Sequence, residues 1–277
     1  MNDNYTHNDC SLIYIVENIL GPYEDNEEYE EILNAFNSQI TQHCVCYQTC
    51  ENECMCILQS GGSNYSLKPS AKFCRYVLNF KGKDIKTYPI IECNSLCKCP
   101  SGCGNRVVQN GPTDRLIVKS CVDQAKGFGL YTEAHIIKGT FICEYAGEVI
   151  TETEALRRHN KNKNEGKMNY IYCLKEHSNG KLTQTFVDPS SFGNIGRYMN
   201  HSCEPNCFII PVRVDTPVPK LAIFSCIDIL PESELTFDYG SNVLPTECVM
   251  SAQERSNRKK CLCNSQNCRG WMPFEVY

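Results

Sequence analysis

Short runs of apolar and β-branched residues, separated by turn residues, occupy the middle of the chain. Such runs predict short β-strands, with turns at Lys138-Gly139, Asn179-Gly180 and Pro231-Glu232. Because these runs are short and the turns between them are tight, they predict small, curved β-sheets rather than a parallel α/β sheet. The predicted strands cover residues 115–118, 141–150, 170–174, 185–188, 208–214, 220–226 and 234–237.

Two further segments carry helical patterns. Thr151 and Glu154 have the spacing of a capping box, so a helix is predicted to begin there, whereas the polar run 160–167 is predicted to be an exposed loop. Near the N-terminus, apolar residues recur at the spacing of one helix face. These residues are Tyr29, Ile32, Leu33 and Phe36.

Negative charge is concentrated in the N-terminal part of the chain. Residues 1–67 hold 11 Asp and Glu and no Lys or Arg, which leaves 21 acidic against 27 basic residues in the remainder. We interpret the acidic residues as the solvated face of a helix, in preference to a surface that attracts a cationic partner or substrate. This distribution does not suggest direct DNA binding.

Composition excludes several classes of protein. With 42% hydrophobic and 21% charged residues, the 277-residue chain is expected to form one large globular domain or two small ones. A membrane span needs about 20 apolar residues, but the longest apolar run, Leu12 to Leu20, is interrupted by Glu17 and Asn18. The N-terminus lacks the pattern of a secretory signal, so we expect neither export nor membrane insertion.

Cysteine is far more frequent than in an ordinary globular protein, with 21 residues. In the absence of an export signal, thiolate-bound metal is favoured over disulfide bonds. Nine cysteines lie in two clusters, spaced C-x-C-x3-C-x3-C-x-C and C-x3-C-x-C-x3-C. The clusters consist of Cys44, Cys46, Cys50, Cys54 and Cys56, and of Cys93, Cys97, Cys99 and Cys103.

These nine cysteines can hold three zinc ions. A tetrahedral zinc takes four ligands, and nine thiolates fill the twelve ligand positions if three of them each bridge two ions. The alternative is two ordinary four-cysteine sites with one spare thiol. In either case metal is predicted to replace a hydrophobic core in residues 44–103, so that folding and metal binding are coupled.

A third cysteine cluster, near the C-terminus, is incomplete. Cys261, Cys263 and Cys268 supply three thiolates, whereas a structural zinc takes four. Cys203 and Cys207, within NHSCEPNC, are the candidates for the fourth ligand, and spacing alone does not choose between them. No thiol stands out with a histidine and an orienting partner, so a nucleophilic cysteine enzyme is disfavoured.

The order of these motifs resembles that of the SET-domain protein lysine methyltransferases of the suppressor-of-variegation class, over roughly residues 44–277. The nine cysteines are followed by KGFGLYT, EYAGE, GNIGRYMNHSCEPNC, ELTFDYG and C-x-C-x4-C. ECNSLCKC and IPVRVDTPVPKLAIF are most similar to the SET portion of a subgroup fused to a mariner transposase, although no transposase is expected in this chain. Each motif is weakly diagnostic alone, but their combination in this order is specific.

The resemblance implies a mostly β fold with short helices, in which small curved sheets and a knot-like chain crossing are flanked by zinc modules. The implied parts are an acidic N-terminal segment at 1–43, a pre-SET zinc cluster at 44–111, a SET catalytic domain at 112–242 and a post-SET zinc module at 257–277. Residues 1–43 fall outside the resemblance. Three zinc ions are expected in the pre-SET cluster and one in the post-SET module, with Cys203 as its fourth ligand.

The reaction implied by the resemblance is methyl transfer from S-adenosylmethionine to a lysine amine. A Rossmann methyltransferase is disfavoured, because no glycine-rich loop of the phosphate-binding type follows a strand. The amine has to arrive neutral although its ordinary pKa is about 10.4, and burial beside the positive sulfonium favours the neutral form. No strong general base is required, and alignment supplies most of the remaining rate.

Cofactor binding is implied around the KGFG loop, the NHSC motif and the post-SET module. Phe128 departs from the tryptophan usual in the family at that place, and Arg197, one helical turn before His201, is expected to support that histidine. The implied cofactor-binding residues are Lys126, Gly127, Phe128, Gly129, Tyr170, Arg197, Asn200, His201 and Leu262.

The resemblance also implies three residues around the reacting atoms. Tyr239 resembles the catalytic tyrosine, Tyr170 an aromatic wall of the cofactor site and lysine channel, and Phe237 the residue that controls how many methyl groups are added. Because phenylalanine lacks a hydroxyl that would hold a water and restrict the amine, di- or trimethylation is expected. Leu262 and the nearby aromatic residues Trp271 and Phe274 are candidates for closing the channel.

The expected substrate is the histone H3 tail, with lysine nine favoured by the nine-cysteine module. Lysine thirty-six of H3 or a non-histone protein is the alternative within the same chemistry. A catalytically silent, zinc-stabilised chromatin-binding scaffold is an alternative of a different class, which intact Asn200, His201 and Tyr239 argue against. Chromatin is the expected partner and the nucleus the expected location, with RSNRKK (255–260) either a nuclear signal or a solvated loop.

Overall fold

The computed structural model describes residues 3–69, 74–80, 89–178, 180–240 and 259–273. Its regular elements are numerous short strands, three α-helices and three short 3₁₀-helices. The α-helices are α1 (Glu27–Asn37), α2 (Met55–Gln59) and α3 (Glu152–Asn164), and the 3₁₀-helices span Val108–Asn110, Gln124–Lys126 and Ile195–Tyr198. The strands are β1 (Ile13–Tyr14), β2 (Ile19–Leu20), β3 (Tyr65–Pro69), β4 (Cys74–Leu78), β5 (Ile90–Ile91), β6 (Leu116–Ser120), β7 (Phe128–Thr132), β8 (Phe141–Glu144), β9 (Glu148–Ile150), β10 (Tyr172–Ser178), β11 (Lys181–Asp188), β12 (Phe192–Gly193), β13 (Asn200–His201), β14 (Cys207–Arg213), β15 (Lys220–Ser225) and β16 (Thr236–Phe237).

The strands form small sheets, as the sequence pattern predicted. One four-stranded sheet has the order β10-β11-β9-β2 and another the order β5-β14-β15-β8, and β1-β12, β3-β4, β6-β7 and β13-β16 form pairs. The run predicted as one strand over 141–150 is two strands, β8 and β9, which belong to different sheets. A mostly β fold with short helices is therefore confirmed.

The buried core lies mainly between these sheets. Its largest cluster includes Leu130, Ile142, Val187, Leu221 and Leu235, each with no more than 1% of its surface exposed. Around the N-terminal cysteines, by contrast, the buried cluster consists of seven cysteines and Ile57, and two further, half-buried cysteines pack against it. Thiols thus take the place of large apolar side chains there, as the sequence predicted.

The seven buried and two half-buried cysteines of this cluster are the nine that the spacing identified.

No helix among the described residues has the length and apolar character that a bilayer crossing requires.

The acidic N-terminal segment is packed against the rest of the fold. β1 pairs in parallel with β12, and β2 pairs in parallel with β9. Tyr29 of α1 is buried, and Ile32 and Phe36 pack against the largest core cluster, which confirms the predicted apolar face. Glu24 accepts a hydrogen bond from the Thr151 hydroxyl, and Glu28 accepts one from the Glu152 amide, each at 2.6 Å. Part of the negative charge therefore stabilises the N-terminus of α3.

Helix α3 begins as predicted but ends later. Thr151 caps it by accepting a hydrogen bond from the Glu154 amide at 3.0 Å. The polar run predicted as a loop over 160–167 is helical as far as Asn164, so that prediction was wrong for its first five residues. Lys161 and Lys163 in the last turn complement the negative end of the helix dipole, which favours helix in a segment without apolar residues.

A parallel pairing near the C-terminal end of the SET region brings distant segments together. Asn200 and His201 of β13 lie opposite Thr236 and Phe237 of β16. The Asn206 side chain donates to the Glu234 carbonyl at 2.8 Å and accepts from the Thr236 amide at 2.9 Å. The segments around the NHSC and FDYG motifs, which are distant in sequence, are thus hydrogen-bonded side by side.

Candidate active site and metal centres

A cavity of about 750 Å³ lies where β13 and β16 meet the loop before β7 and the C-terminal cysteine module. Six segments distant in sequence contribute to its wall. Most of the predicted cofactor and catalytic residues line it, namely Lys126, Gly127, Phe128, Tyr170, Arg197, Asn200, His201, Tyr239 and Leu262. Gly129 and Phe237 are not lining residues, but Gly129 follows the lining residue Phe128 and the Phe237 ring packs against that of Tyr239.

The loop before β7 needs glycine at two positions for different reasons. Gly127 has φ of 73°, a left-handed conformation that residues with a Cβ rarely adopt. A Cβ on Gly129 would come within 2.9 Å of the Cys121 sulfur and 3.0 Å of Glu234 Oε1. Phe128 between them is 55% exposed, at the edge of the cavity. The loop can therefore present backbone to a ligand at close range.

The Asn200 side chain is fixed by acceptors on both sides. Its amide nitrogen donates to the Phe128 carbonyl at 3.0 Å and to Glu234 Oε1 at 2.8 Å, and it lies 3.4 Å from the Cys121 sulfur. Glu234 also forms an ion pair of 2.5 Å with Lys126. Glu234 therefore links the KGFG loop to the NHSC motif, a role that its position in ELTFDYG did not predict.

The His201 imidazole is buried and has two partners. Its Nδ1 accepts a hydrogen bond from the Tyr239 amide at 3.2 Å, and its Nε2 lies 3.5 Å from the Cys203 sulfur. Burial lowers the pKa of His201, and the neutral ring that accepts at Nδ1 carries its proton on Nε2. The ring therefore joins the FDYG motif to a cysteine of the C-terminal cluster.

The Tyr239 hydroxyl uses its proton in a hydrogen bond to the backbone. The hydroxyl donates to the Met199 carbonyl at 2.7 Å, so the oxygen lone pairs are left as acceptors. Burial raises the pKa of Tyr239 above its ordinary value. At neutral pH the phenol is therefore neutral and can accept weak hydrogen bonds.

Aromatic rings surround Phe237. Its ring centroid lies 4.8 Å from that of Tyr239, 5.8 Å from Tyr145 and 6.3 Å from Tyr172. Phe237 is only 2% exposed, and Tyr145 donates its hydroxyl proton to the Tyr170 carbonyl at 2.7 Å. The group forms an apolar wall behind Tyr239, to which Tyr172 contributes without having been identified from the sequence.

Arg197 is placed differently from the sequence expectation. Its guanidinium carbon lies 4.5 Å from the ring centroid of Tyr170, a cation–π arrangement, and its Nε donates to the Pro189 carbonyl at 3.0 Å. His201 is held instead by Tyr239 and Cys203. Arg197 therefore presents a positive charge to the cavity beside an aromatic ring.

The N-terminal cysteines converge into three overlapping sets of four sulfur atoms, each within 4.8 Å of one another. Cys44 and Cys50 belong to two sets each, and Cys93 belongs to all three. The Cys50 sulfur lies 3.6 Å from that of Cys44 and 3.5 Å from that of Cys93. Cys46 lies outside these sets but hydrogen-bonds with Cys50 and Cys54. The arrangement suits several metal ions that share ligands, rather than two separate sites.

The C-terminal cysteines form one further set. Cys203, Cys261, Cys263 and Cys268 have sulfur atoms within 4.8 Å of one another, whereas Cys207 is fully buried in β14. The structure thus selects Cys203, which the spacing left open. Of the candidates for closing the channel, Leu262 lines the cavity, whereas Trp271 forms a β-bridge with Lys260. Phe274 and residues 255–258 of the basic run lie outside the described residues.

Four cavity residues come from the N-terminal segment and were not expected there. Thr6, Asn8, Asp9 and Leu12 line the same cavity as Tyr170 and Arg197. No periodicity or motif marks them in the sequence. Met272 is a further lining residue that no sequence motif predicted.

Comparison with known proteins agrees with this geometry. The SET domain family model matches residues 127–240. The rat histone-lysine N-methyltransferase SETMAR is 39% identical over 271 residues, which is 95% of this chain and 79% of the relative. Human SETMAR is 40% identical over 271 residues, but the chain spans only 36% of its length. Because these matches cover 95% of the chain, they extend into residues 1–43, which the motifs had left outside the resemblance.

The fold of this chain is also similar to those of solved structures. The crystal structure of the methyltransferase domain of human SETMAR superposes with a TM-score of 0.73 at 33% identity, over 99% of this chain and 93% of that chain. Arabidopsis thaliana SUVH6 in complex with SAM has a TM-score of 0.66 at 25% identity, over 98% of this chain and 51% of that chain.

Proposed function

The chain belongs to the SET-domain histone-lysine N-methyltransferases, and on that basis we propose that it transfers methyl groups from S-adenosylmethionine to lysine nine of histone H3. The observation that carries the proposal is the single cavity that brings together Asn200, His201, Tyr170 and Tyr239 under the C-terminal cysteine module. The nine-cysteine module supports the choice of lysine nine. Chromatin is the proposed partner and the nucleus the proposed location.

The lining residues of the cavity fit S-adenosylmethionine. Arg197 and Asp9 offer opposite charges that act on each other, and Phe128, Asn200, His201 and Leu262 offer apolar, amide and imidazole groups. A ligand with a zwitterionic end and a flat nucleobase matches this division. When bound, the cofactor supplies a methyl group on a positive sulfonium.

The residues behind the cavity suit a neutral lysine amine. Tyr145, Tyr172, Phe237 and Tyr239 form an aromatic wall that excludes water and so disfavours the ammonium form. The Tyr239 oxygen, which donates its proton to Met199, is an acceptor for the weak C–H hydrogen bonds of a polarised methyl group. These residues align and desolvate the amine, and a strong general base is not required.

The thiol sets fit zinc, and we assign four ions. Cys44, Cys50 and Cys93 would each be shared between two ions of the N-terminal cluster and the other six thiolates would bind once, which would fill three tetrahedral sites. The terminal ligand pairs would be Cys46 with Cys54, Cys56 with Cys97, and Cys99 with Cys103. Cys203 and the three C-terminal thiolates would hold the fourth ion.

The direct test is a methylation assay of the purified protein on a panel of histone peptides, read by mass spectrometry. Methyl groups on the peptide that contains lysine nine of H3 are the expected result. Transfer to lysine thirty-six or to a non-histone protein would replace the proposed target but keep the enzyme class. Binding of labelled S-adenosylmethionine without transfer to any peptide would support the silent scaffold instead.

Replacing Phe237 with Tyr is expected to reduce the number of methyl groups added. The new hydroxyl would lie among Tyr145, Tyr172 and Tyr239, where it can hold a water that restricts rotation of a methylated amine. Mass spectrometry of the H3 peptide should show a shift from di- and trimethyl towards monomethyl product. Phe186→Tyr, at another buried ring outside the cavity wall, is the control. An unchanged product distribution in the Phe237 variant would refute the assignment.

A further inference from the structure

The N-terminal segment forms part of the cavity wall, and its position is fixed at both ends. On one side, the Tyr5 hydroxyl donates to the Thr113 carbonyl at 2.8 Å and accepts from the Leu116 amide at 3.0 Å. On the other, β1 pairs with β12, and the Ile13 amide donates to the Ser191 carbonyl at 2.9 Å. Residues 6–12 span the interval between these anchors, and four of them, Thr6, Asn8, Asp9 and Leu12, line the cavity from this fixed backbone.

A third anchor lies within the segment. His7 Nε2 lies 3.0 Å from the Gly193 carbonyl, so it is the donor, and His7 Nδ1 accepts from the Tyr198 hydroxyl at 3.1 Å. The His7 ring also packs against Tyr14 and Tyr198, with centroids 5.0 and 5.6 Å apart. Tyr198 is itself a cavity residue and the neighbour of Arg197. The segment is therefore coupled directly to the predicted cofactor-binding residues.

Asp9 is distinguished by its charge. Among the described residues that line the cavity, it is the one carboxylate, whereas four lining residues are cationic. Lys126 is paired with Glu234, whereas Arg197 is close enough to Asp9 for its charge to act on the carboxylate. Lys259 and Lys260 are contributed by the C-terminal module.

The Asp9 carboxylate is held so that one oxygen remains for a ligand. The Ser11 amide and hydroxyl both donate to Oδ1, at 2.9 and 2.7 Å. Within the described part of the chain these are the side-chain hydrogen bonds of Asp9, and neither ends on Oδ2. The Ser11 hydrogen bonds, together with the positive charge of Arg197, lower the pKa of Asp9, so it is ionised at neutral pH.

A ligand that carries an ammonium and a carboxylate on one carbon complements this pair of charges. Arg197 suits the carboxylate and Asp9 suits the ammonium, because charge-assisted hydrogen bonds of this kind are the strong ones. A nucleobase, by contrast, has no ionised group for either side chain. We propose that Asp9 binds the α-ammonium of S-adenosylmethionine, so that residues 6–12 form the wall of its amino-acid subsite. This inference rests on the proposed function and names a part of the site outside the SET region itself.

Asp9→Asn is the matched test, because the asparagine carbonyl can still accept both Ser11 hydrogen bonds while the amide nitrogen replaces Oδ2. Calorimetry on the full chain should show that S-adenosylhomocysteine, which has the amino-acid end, binds about tenfold more weakly to the variant. Methylthioadenosine, which lacks that end, should bind with an unchanged Kd in competition. The KM for S-adenosylmethionine should rise by a similar factor while kcat changes less than about twofold.

A control separates the Asp9 charge from the general acidity of the segment. Asp25→Asn removes an exposed carboxylate of the same acidic segment, away from the cavity, and should leave both affinities unchanged. Equal weakening of both ligands by Asp9→Asn, or no effect of Asp9→Asn on either ligand, would overturn the inference. A wild-type chain that binds neither ligand would overturn the proposed function itself.

Discussion

Replacing Cys263 with Ser should abolish methyl transfer while the N-terminal cysteine cluster stays folded. Cys263 belongs to the C-terminal sulfur set and also lines the cavity beside Leu262. A serine hydroxyl is a poor zinc ligand, so the ion should be lost, and Leu262 and Met272 should no longer be held at the cavity wall. We expect a fall in kcat/KM of at least about 100-fold, since even the loss of groups that support metal ligands costs about 10- to 100-fold.

Elemental analysis and circular dichroism report on the two halves of this prediction. The proposed content of four zinc ions per chain should fall to three, with far-UV circular dichroism nearly unchanged. Cys226→Ser is the matched control, because Cys226 is half-buried, lies outside the four sulfur sets and donates to the Pro205 carbonyl, a bond that serine can keep. Normal turnover and normal cofactor affinity after loss of the ion would contradict the proposed role of this module.

The second large effect is expected for Tyr239→Phe. The variant keeps the ring against Phe237 and His201 but removes the oxygen that faces the cavity. If that oxygen accepts hydrogen bonds from the methyl group as it is transferred, kcat should fall by about 100-fold, the lower end of what loss of one preorganised polar contact costs in other enzymes. The Kd for S-adenosylhomocysteine should change by less than about threefold, since the contact is made mainly during transfer.

Tyr145→Phe provides a close control for this experiment. The Tyr145 hydroxyl also donates to a backbone carbonyl at 2.7 Å, in the same aromatic group, but Tyr145 does not line the cavity. Both variants lose one buried hydrogen bond, so both should lose a similar free energy of unfolding, about 1 kcal/mol. Comparable losses of kcat in the two variants would show that the Tyr239 effect is structural rather than catalytic.

The proposed metal ligands were the part of the site that the sequence predicted most completely. Thiolate pairs and quartets have short, regular spacings, because the chain must return to the same ion within a few residues. Cys44 to Cys56, Cys93 to Cys103 and the three C-terminal cysteines were all identified in this way. The choice of Cys203 over Cys207 required the fold, since both positions are compatible with the same local spacing and only the packing of β14 buries Cys207.

The cavity itself was predicted in part. Asn200, His201 and Tyr239 were found because they belong to short motifs, and the structure brings them together. Glu234 was overlooked although it lies in one of those motifs, because its function depends on Asn200 and Lys126, which are distant in sequence. Tyr172 was overlooked for the same reason, since its ring packs on Phe237 from another sheet.

The N-terminal segment was predicted from the sequence only in part. Its apolar helix face was predicted from periodicity, and the burial of Tyr29 confirms it. The contribution of Thr6, Asn8, Asp9 and Leu12 to the cavity had no signal, because these residues follow no period and make their contacts with residues far along the chain.

The amino-acid sequence alone determined the strand-rich architecture, the nine-cysteine and three-cysteine ligand sets and the motifs of the cavity, because each depends on residue type and local spacing. Tertiary structure alone decided which thiol completes the C-terminal set, how Glu234 fixes Asn200 and Lys126, and that the acidic segment reaches the cavity. Those outcomes depend on contacts between residues separated by tens to hundreds of positions, and such contacts arise only when the sheets pack.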